Sequence, residues 1–457
     1  MNRIASRAMA LLLPVLLLLG GLGLFAGEYT AKSEDWIHFS GSPHVYADGR
    51  IGTGVITDRE GILLADLTRG RVYSSDETVR RASLHWVGDR QGNIRASWLN
   101  TYRHQLLDYD PVRGLYAYGE NSGRVELTLS AKVQAAALEA MGDCVGTVAV
   151  YNYKTGQLIC AVSTPTFDPD NVPDIASDTT GAYEGVYLNR FLQSRYIPGS
   201  IFKIVTLAAA LETVPDIESM RFSCSGTLEL PGGRVTCMRP HGDQSLKECF
   251  RNSCNCAFAQ ISRLIGPEKL EEYVELLQVT EPVSFDGLTG IAGNFDLEGA
   301  SPQQIAWSAI GQHRDQVNPA AYLRFLGAIA GAGEGAEPYV VESVHAGQQE
   351  TYRAEKSAFR LPLSPETLRT LKEYMANNVS EKYGAEHFPG LTVCAKSGTG
   401  EVGGGNAPNA MFAGFLENPE YPWAFIVAVE KGGFGADTCV PILSRVLEAC
   451  VAETEND

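Results

Sequence analysis

The longest feature of the hydrophobic pattern lies near the start of the chain. Ala8 to Ala26 is an almost unbroken apolar run without a charge. About 20 such residues span a bilayer core, so the run predicts a transmembrane helix. Met1 to Arg7 is short and basic through Arg3 and Arg7, which places residues 1–7 in the cytoplasm and the rest of the chain outside. A cleaved signal peptide is the competing reading, but the run is longer than a usual signal core. Residues 27–124 follow, with many Gly, Asp, Arg and Tyr residues and no long helical period. Gly54 to Ala65 reads as two short strands about a polar turn, so this stretch is expected to be a small β-rich module next to the membrane.

From residue 125 the pattern becomes regular. Val125 to Leu129 predicts a strand, and Ser130 caps a helix running through Met141. Gly146 to Tyr151 and Gln157 to Val162 form a hairpin about Lys154-Thr155-Gly156, read as a type I′-like turn. Ser163 to Asp178 is a Pro/Asp-rich loop. Helices are expected over Ile201–Leu211, Leu246–Ile265 with a break at Asn252-Ser253, Pro267–Leu277, Pro302–Ala330, Leu368–Val379 and Val440–Val451. Thr392 to Lys396, Met411 to Phe415 and Phe425 to Val429 are strands, and Glu453 to Asp457 is a frayed tail. Strands, a large helical insertion, then strands and a last helix imply one antiparallel sheet assembled from both ends of an α+β domain, 125–452, with helices covering it.

Composition adds two constraints. The chain has 457 residues and a formal charge of -17, which excludes nucleic acid as a partner. Ten cysteines in an exported chain permit disulfides, and Cys224, Cys237, Cys249, Cys254 and Cys256 crowd into one stretch.

The chemistry centres on Tyr196-Ile197-Pro198-Gly199-Ser200-Ile201-Phe202-Lys203. Pro198 and Gly199 interrupt the chain, and Ser200 opens a helix buried on most sides. Positions i and i+3 share a helix face, so Lys203 can aim its amine at the Ser200 hydroxyl. A neutral lysine there can take the hydroxyl proton, and N–H groups at the helix start can hold an oxyanion. As an isolated pattern, S-x-x-K is more often a capping serine with a solvated lysine. Here Lys203 lies in an apolar helix, where a lone ammonium is costly. Ser253-Cys254-Asn255 adds a hydroxyl and an amide. Lys396-Ser397-Gly398-Thr399-Gly400 adds a lysine, two hydroxyls and a glycine expected to let a ligand lie close to the strand.

In this order S-x-x-K, S-x-N and K-S-G resemble the penicillin-binding proteins, the serine D,D-transpeptidases of cell-wall synthesis. Gly146 to Pro169 looks like that family's first hairpin and loop. Met411 to Phe415 looks like the strand after its K-[ST]-G, and Leu127 to Gln134 like the stretch that opens its domain. The resemblance covers about Val125 to Ala452. Gly54 to Ala65 is similar to the start of the membrane-proximal, pedestal-like module of class B, monofunctional members, although Thr53 stands where that group usually has an arginine.

The resemblance implies an acyl-enzyme on Ser200, with Lys203 as base, Ser253 as proton relay and Asn255 holding Lys203 and the substrate amide. Lys396, Ser397, Gly398 and Thr399 would bind the substrate and its terminal carboxylate. It also implies a stem peptide ending in D-Ala-D-Ala as substrate, β-lactams as inhibitors, a glycosyltransferase of the cell-wall machinery as partner, and no required cofactor. A class D-type β-lactamase, a β-lactam sensor and a catalytically silent scaffold are the rival readings. Cys224, Cys237, His241 and Cys254 can form a thiolate and imidazole set suited to structural zinc. A Cys224–Cys237 disulfide and packed thiols remain the alternatives. Cys144, Cys160, Cys394 and Cys450 read as core residues.

Overall fold

The computed structural model describes residues 2–37, 54–68, 72–102, 105–106, 112 and 123–455. Thr53, Asn456 and Asp457 lie outside them, as do parts of the stretch 27–124. Helix α1 (Asn2–Ile37) carries the apolar run. Its segment Ser6–Ser33 contains an 18-residue window with a mean hydropathy of 2.4 and is long and apolar enough to cross a membrane.

Strands β1 (Val55–Thr57), β2 (Leu63–Asp66) and β3 (Val72–Tyr73) follow. Helix α2 (Glu77–Val87) was not legible in the pattern; Asp76 caps it by accepting from the N–H groups of Thr78 and Val79. Its inner face buries Val79, Ala82 and the run Leu84 to Val87. Strand β4 (Gly123–Leu127) leads through the cap Ser130 into α3 (Ala131–Met141). The hairpin is β5 (Gly146–Asn152) and β6 (Leu158–Thr164). Its turn is not type I′: among Lys154, Thr155 and Gly156 only Gly156 has positive φ (+88°), and Asn152 Oδ1 accepts from the N–H groups of Lys154 and Thr155.

Helix α4 (Lys203–Thr213) is preceded by a 3-10 turn at Gly199–Phe202. The Cys/Gly-rich excursion contains a small hairpin, β7 (Thr227–Leu230) and β8 (Gly233–Thr236). Helices α5 (Leu246–Arg251), α6 (Asn255–Ile265) and α7 (Pro267–Leu276) come next. The single helix expected over 302–330 is two, α8 (Pro302–Ser308) and α9 (Pro319–Ala330). Gly311 at φ +75° and His313 at φ +67° cannot continue a right-handed helix, and Asn318 caps the second helix with Pro319 in its first turn.

The chain then forms β9 (Val341–Ala346), β10 (Gln349–Arg353), α10 (Pro365–Asn378), β11 (Val393–Gly400), β12 (Asn409–Leu416), β13 (Trp423–Val429) and α11 (Gly435–Thr454). Part of the expected tail is thus helical. Glu453 lies one helical turn from Cys450 on the inner face and is 8% exposed.

The central sheet has the order β11-β12-β13-β5-β6, all antiparallel, with strands from both ends of the domain meeting where β13 pairs β5. Both faces are covered, so β13 is apolar throughout rather than alternating. One face carries Phe412, Phe425 and Val427 against α11; the other turns Met411, Ala413 and Ile426 toward the helical subdomain. A second sheet, β10-β9-β4-β1-β2-β3, joins strands from residues 55–73 to strands from residues 341–353.

Helix α2 fastens the early residues to the central sheet. Trp86 stacks on Trp98 at 5.9 Å, and its Nε1 donates to the Ala161 carbonyl at 2.7 Å. Arg80 Nε and Nη2 donate to the two oxygens of Asp168, each at 2.8 Å, in a largely buried fork. That bond to Arg80 holds the Asp168 carboxyl well below the usual carboxylate range. Breaking a buried pair costs about 3 kcal/mol, so Arg80→Ala is expected to lower the urea midpoint of the full chain in detergent at neutral pH. A depressed carboxylate stabilises above its unfolded pKa of about 3.9 and loses that effect as pH falls through its folded value. The gap between wild type and variant should therefore narrow in acid. Equal midpoints at neutral pH would count against this role.

Candidate active site

The three motifs converge on a cleft of about 1940 Å³ lined by Ser200, Ser253, Asn255, Ser397 and Thr399. Lys203 and Lys396 lie beneath it, each fully buried.

Ser200 sits in the 3-10 turn, one residue after Gly199 at φ +52°. That turn is clamped on two sides. Gly199 N–H donates to the Gly311 carbonyl at 2.8 Å, and a Cβ on Gly199 would collide with the Thr399 carbonyl. Gly398 has a related purpose, because a Cβ there would strike the Pro198 carbonyl. The glycine of the K-S-G segment thus lets the serine turn approach the strand. The space that the sequence suggests for a ligand is here taken by the Pro198 carbonyl.

Lys203 Nζ has four oxygen neighbours. It donates to the Ser253 carbonyl and to Asn255 Oδ1, both at 2.7 Å, and lies 3.1 Å from Ser200 Oγ and 3.2 Å from Ser253 Oγ. The Asn255 amide is oriented by its Nδ2, which donates to the Thr236 carbonyl at 2.9 Å. The two short contacts go to oxygens that only accept. A neutral amine has two N–H groups, which these contacts consume, and its lone pair remains for a hydroxyl proton. Burial first, and then the charge of Lys396, lower the Lys203 pKa well below that of a free lysine.

Ser253 sits at φ +53°, a left-handed conformation rare for a residue with a Cβ. It separates α5 from α6 and turns both its carbonyl and its hydroxyl to Lys203. Lys396 Nζ donates to the same hydroxyl at 3.1 Å and to the Ser397 carbonyl at 2.9 Å. Ser253 Oγ therefore bridges two buried lysines. Burial, and then Lys382, push Lys396 down as well.

Strand β11 is the edge of the central sheet beside the cleft. In an antiparallel strand the N–H and C=O of one residue point to the same side. Ala395, Ser397 and Thr399 point outward. The Ala395 carbonyl accepts from Asn378 Nδ2 (3.0 Å), Ser397 N–H donates to Tyr383 OH (3.1 Å), and the Thr399 carbonyl accepts from Gln312 Nε2 (3.2 Å). Thr399 N–H thereby faces the serine turn. Ser200 N–H, in the first turn of a helix, has no intrahelical acceptor. Ser397 Oγ also donates to Tyr383 OH, at 3.0 Å.

The four metal-site candidates come together. The ligand atoms of Cys224, Cys237, His241 and Cys254 lie within 4.8 Å of one another. Zinc bond lengths of about 2.3 Å to sulfur and about 2.0–2.1 Å to nitrogen give tetrahedral edges of roughly 3.8 Å (S to S) and roughly 3.6 Å (S to N). Here Cys237 Sγ lies 3.7 Å from Cys254 Sγ, and Cys224 Sγ 3.5 Å from His241 Nδ1. Burial, then Arg239, lower the His241 pKa and favour the neutral imidazole a metal needs. The Cys224–Cys237 disulfide is not formed, and all ten cysteines are free thiols. Cys160, Cys394 and Cys450 are buried as expected, and Cys144 is half-buried.

Four contributors are not signalled in the sequence: Asn378, Tyr383, Gln312 and the Thr236 carbonyl. Tyr383 ends a π-helical turn, Val379–Tyr383, that no pattern signalled. Gln312 fell inside the helix wrongly extended over 302–330, although Gly311 and the Asn318-Pro319 pair carried the signal for a break.

The transpeptidase domain model of the penicillin-binding proteins matches residues 146–448. A peptidoglycan D,D-transpeptidase PbpA of Mycolicibacterium smegmatis is 30% identical over 364 residues, covering 72% of this chain and 73% of that protein. Stage V sporulation protein D of Bacillus subtilis is also 30% identical, over 72% of this chain and 53% of its own. Among solved structures, penicillin-binding protein A of M. tuberculosis as a ceftriaxone acyl-enzyme shares the fold, with TM-score 0.74, 24% identity, and coverage of 88% of this chain and 98% of that one. The chain belongs to the penicillin-binding protein transpeptidase family and, within it, to class B.

Proposed function

We propose that this chain is a penicillin-sensitive peptidoglycan D,D-transpeptidase acting through an ester on Ser200. The observation that carries the reading is the Lys203 amine, 3.1 Å from Ser200 Oγ, with its other short contacts going to oxygens that only accept. Ser200 gives its proton to Lys203 and attacks the carbonyl of the penultimate D-alanine. The N–H groups of Ser200 and Thr399 receive the oxyanion, a device that contributes about 2.7–4 kcal/mol per donor. Ser253 passes a proton to the leaving amine, and the last D-alanine departs. Asn255 holds Lys203 and the substrate amide; Lys396, Ser397 and Thr399 hold the terminal carboxylate. An amine of a neighbouring stem peptide then takes the acyl group and regenerates Ser200. The donor is a peptide on a glycan strand, so a glycosyltransferase is the partner that supplies it.

Residues 8–26 anchor the enzyme, with residues 1–7 in the cytoplasm by virtue of Arg3 and Arg7. Residues 27–124 form the membrane-proximal module, and 125–452 the transpeptidase domain outside the membrane.

We further propose that Cys224, Cys237, His241 and Cys254 hold a structural zinc, a reading supported by the tetrahedral spacing of their ligand atoms. Cys254 lies between Ser253 and Asn255, and Cys237 follows Thr236, whose carbonyl orients the Asn255 amide. Zinc would supply a crosslink between α6 and the 224–242 excursion, fixing the S-x-N turn from behind.

Mixing the full chain with benzylpenicillin and following intact mass is expected to give one persistent adduct, absent in Ser200→Ala. Lys203→Arg, which cannot lose its proton, should slow adduct formation by about a thousandfold. An adduct that clears within seconds would point to a β-lactamase, and no adduct would remove Ser200 from the reaction. Elemental analysis should find about one zinc per chain, lost together with thermal stability in Cys224→Ser. A metal-free protein whose mass is lower by a hydrogen pair would favour a disulfide.

A further inference from the structure

The outward edge of β11 reserves a place for the substrate backbone, and one side chain stands in it. Thr399 N–H and C=O point to the same side, toward the cleft. In an antiparallel pair, two directly opposed residues of the hydrogen-bonded kind exchange both bonds. A substrate residue whose carbonyl accepts from Thr399 N–H must therefore offer its own N–H to the Thr399 carbonyl. On the transpeptidase reading, on which this inference rests, that residue is the penultimate D-alanine. The Thr399 carbonyl is already bonded to Gln312 Nε2, at 3.2 Å.

The backbone that carries Gln312 is pinned. Its N–H donates to the Trp307 carbonyl at 2.9 Å, and the Gly311 carbonyl accepts from Gly199. The neighbours Gly311 and His313 both have positive φ, so the loop holds an unusual shape against the serine turn. The side chain is only half-buried and lines the cleft, which gives it room to rotate.

We propose that Gln312 is a specificity gate. Its amide takes the place of the substrate N–H on the Thr399 carbonyl at rest and swings away when an acyl-D-alanyl backbone adds to β11. Ligands that bring an amide N–H to this carbonyl compete with Gln312, and those that bring nothing to it do not.

Benzylpenicillin carries an acylamino N–H beside its reactive carbonyl, whereas imipenem carries a hydroxyethyl group on the opposite face of its ring. The test is the second-order rate of Ser200 acylation by each drug, measured on the full chain in detergent. Gln312→Met keeps the side-chain length without a donor. It is expected to raise the benzylpenicillin rate about fivefold, the worth of one hydrogen bond, and to leave the imipenem rate unchanged. Gln312→Ala should shift the ratio of the two rates in the same direction. Equal changes for both drugs, no change for either, or a selective loss with benzylpenicillin would overturn the gate. Wild-type protein acylated by neither drug would overturn the enzymatic reading itself, and the gate with it.

Discussion

The proposed chemistry depends on one buried lysine amine that gives up its proton more readily than a free lysine. Lys203 is fully buried on a helix whose neighbouring positions, Ile204 to Ala210, are also buried. An ammonium there would lose its hydration and face the second buried amine of Lys396. The fold compensates with acceptors, not with a carboxylate. The Ser253 carbonyl and Asn255 Oδ1 take the two N–H groups of the neutral form. A carboxylate in either position would favour the charged form and remove the base. The left-handed turn at Ser253 follows from the same requirement, since it presents carbonyl and hydroxyl together to one amine.

The second constraint is close approach of backbones. The serine turn, the loop after α8 and the edge strand β11 meet at Gly199, Gly311, Gly398 and Gly400, where a Cβ would enter a neighbouring carbonyl. Small residues let three segments from distant parts of the chain share one surface. Three outward groups of β11, the Ala395 carbonyl, the Ser397 N–H and the Thr399 carbonyl, are then bonded by side chains of Asn378, Tyr383 and Gln312, while the Thr399 N–H is left facing the serine turn. Chemistry and packing thus use the same strand: its inner side pairs with β12, and its outer side forms a wall of the cleft.

Much of this was legible in the sequence. The central sheet followed from apolar runs at both ends of the domain, because strands covered on both faces are apolar at every position, as in Trp423 to Val429. The three motifs carried Ser200, Lys203, Ser253, Asn255, Lys396 and Thr399, since each pairs a reactive group with a local signal such as a Pro-Gly break. Helix α2 was missed because its buried face is interrupted by arginines, one of which, Arg80, spends its charge on Asp168. Gln312 and Tyr383 were missed because their partners are 87 and 14 residues away, a relation fixed by the folded chain and not by spacing. The cysteine cluster was legible as a set of donors, but the spacing that supports the zinc proposal exists only in the folded chain.

The charge state of Lys203, on which the proposed acylation turns, can be observed directly. Isotope-labelled lysine NMR of the full chain in detergent micelles, with the resonance assigned by its loss in Lys203→Ala, follows the protonation of that one amine. The expected result is an amine that loses its proton well below the ~10.4 of a free lysine. A Lys203 that stays charged until the pH reaches that ordinary value would contradict its role as the base.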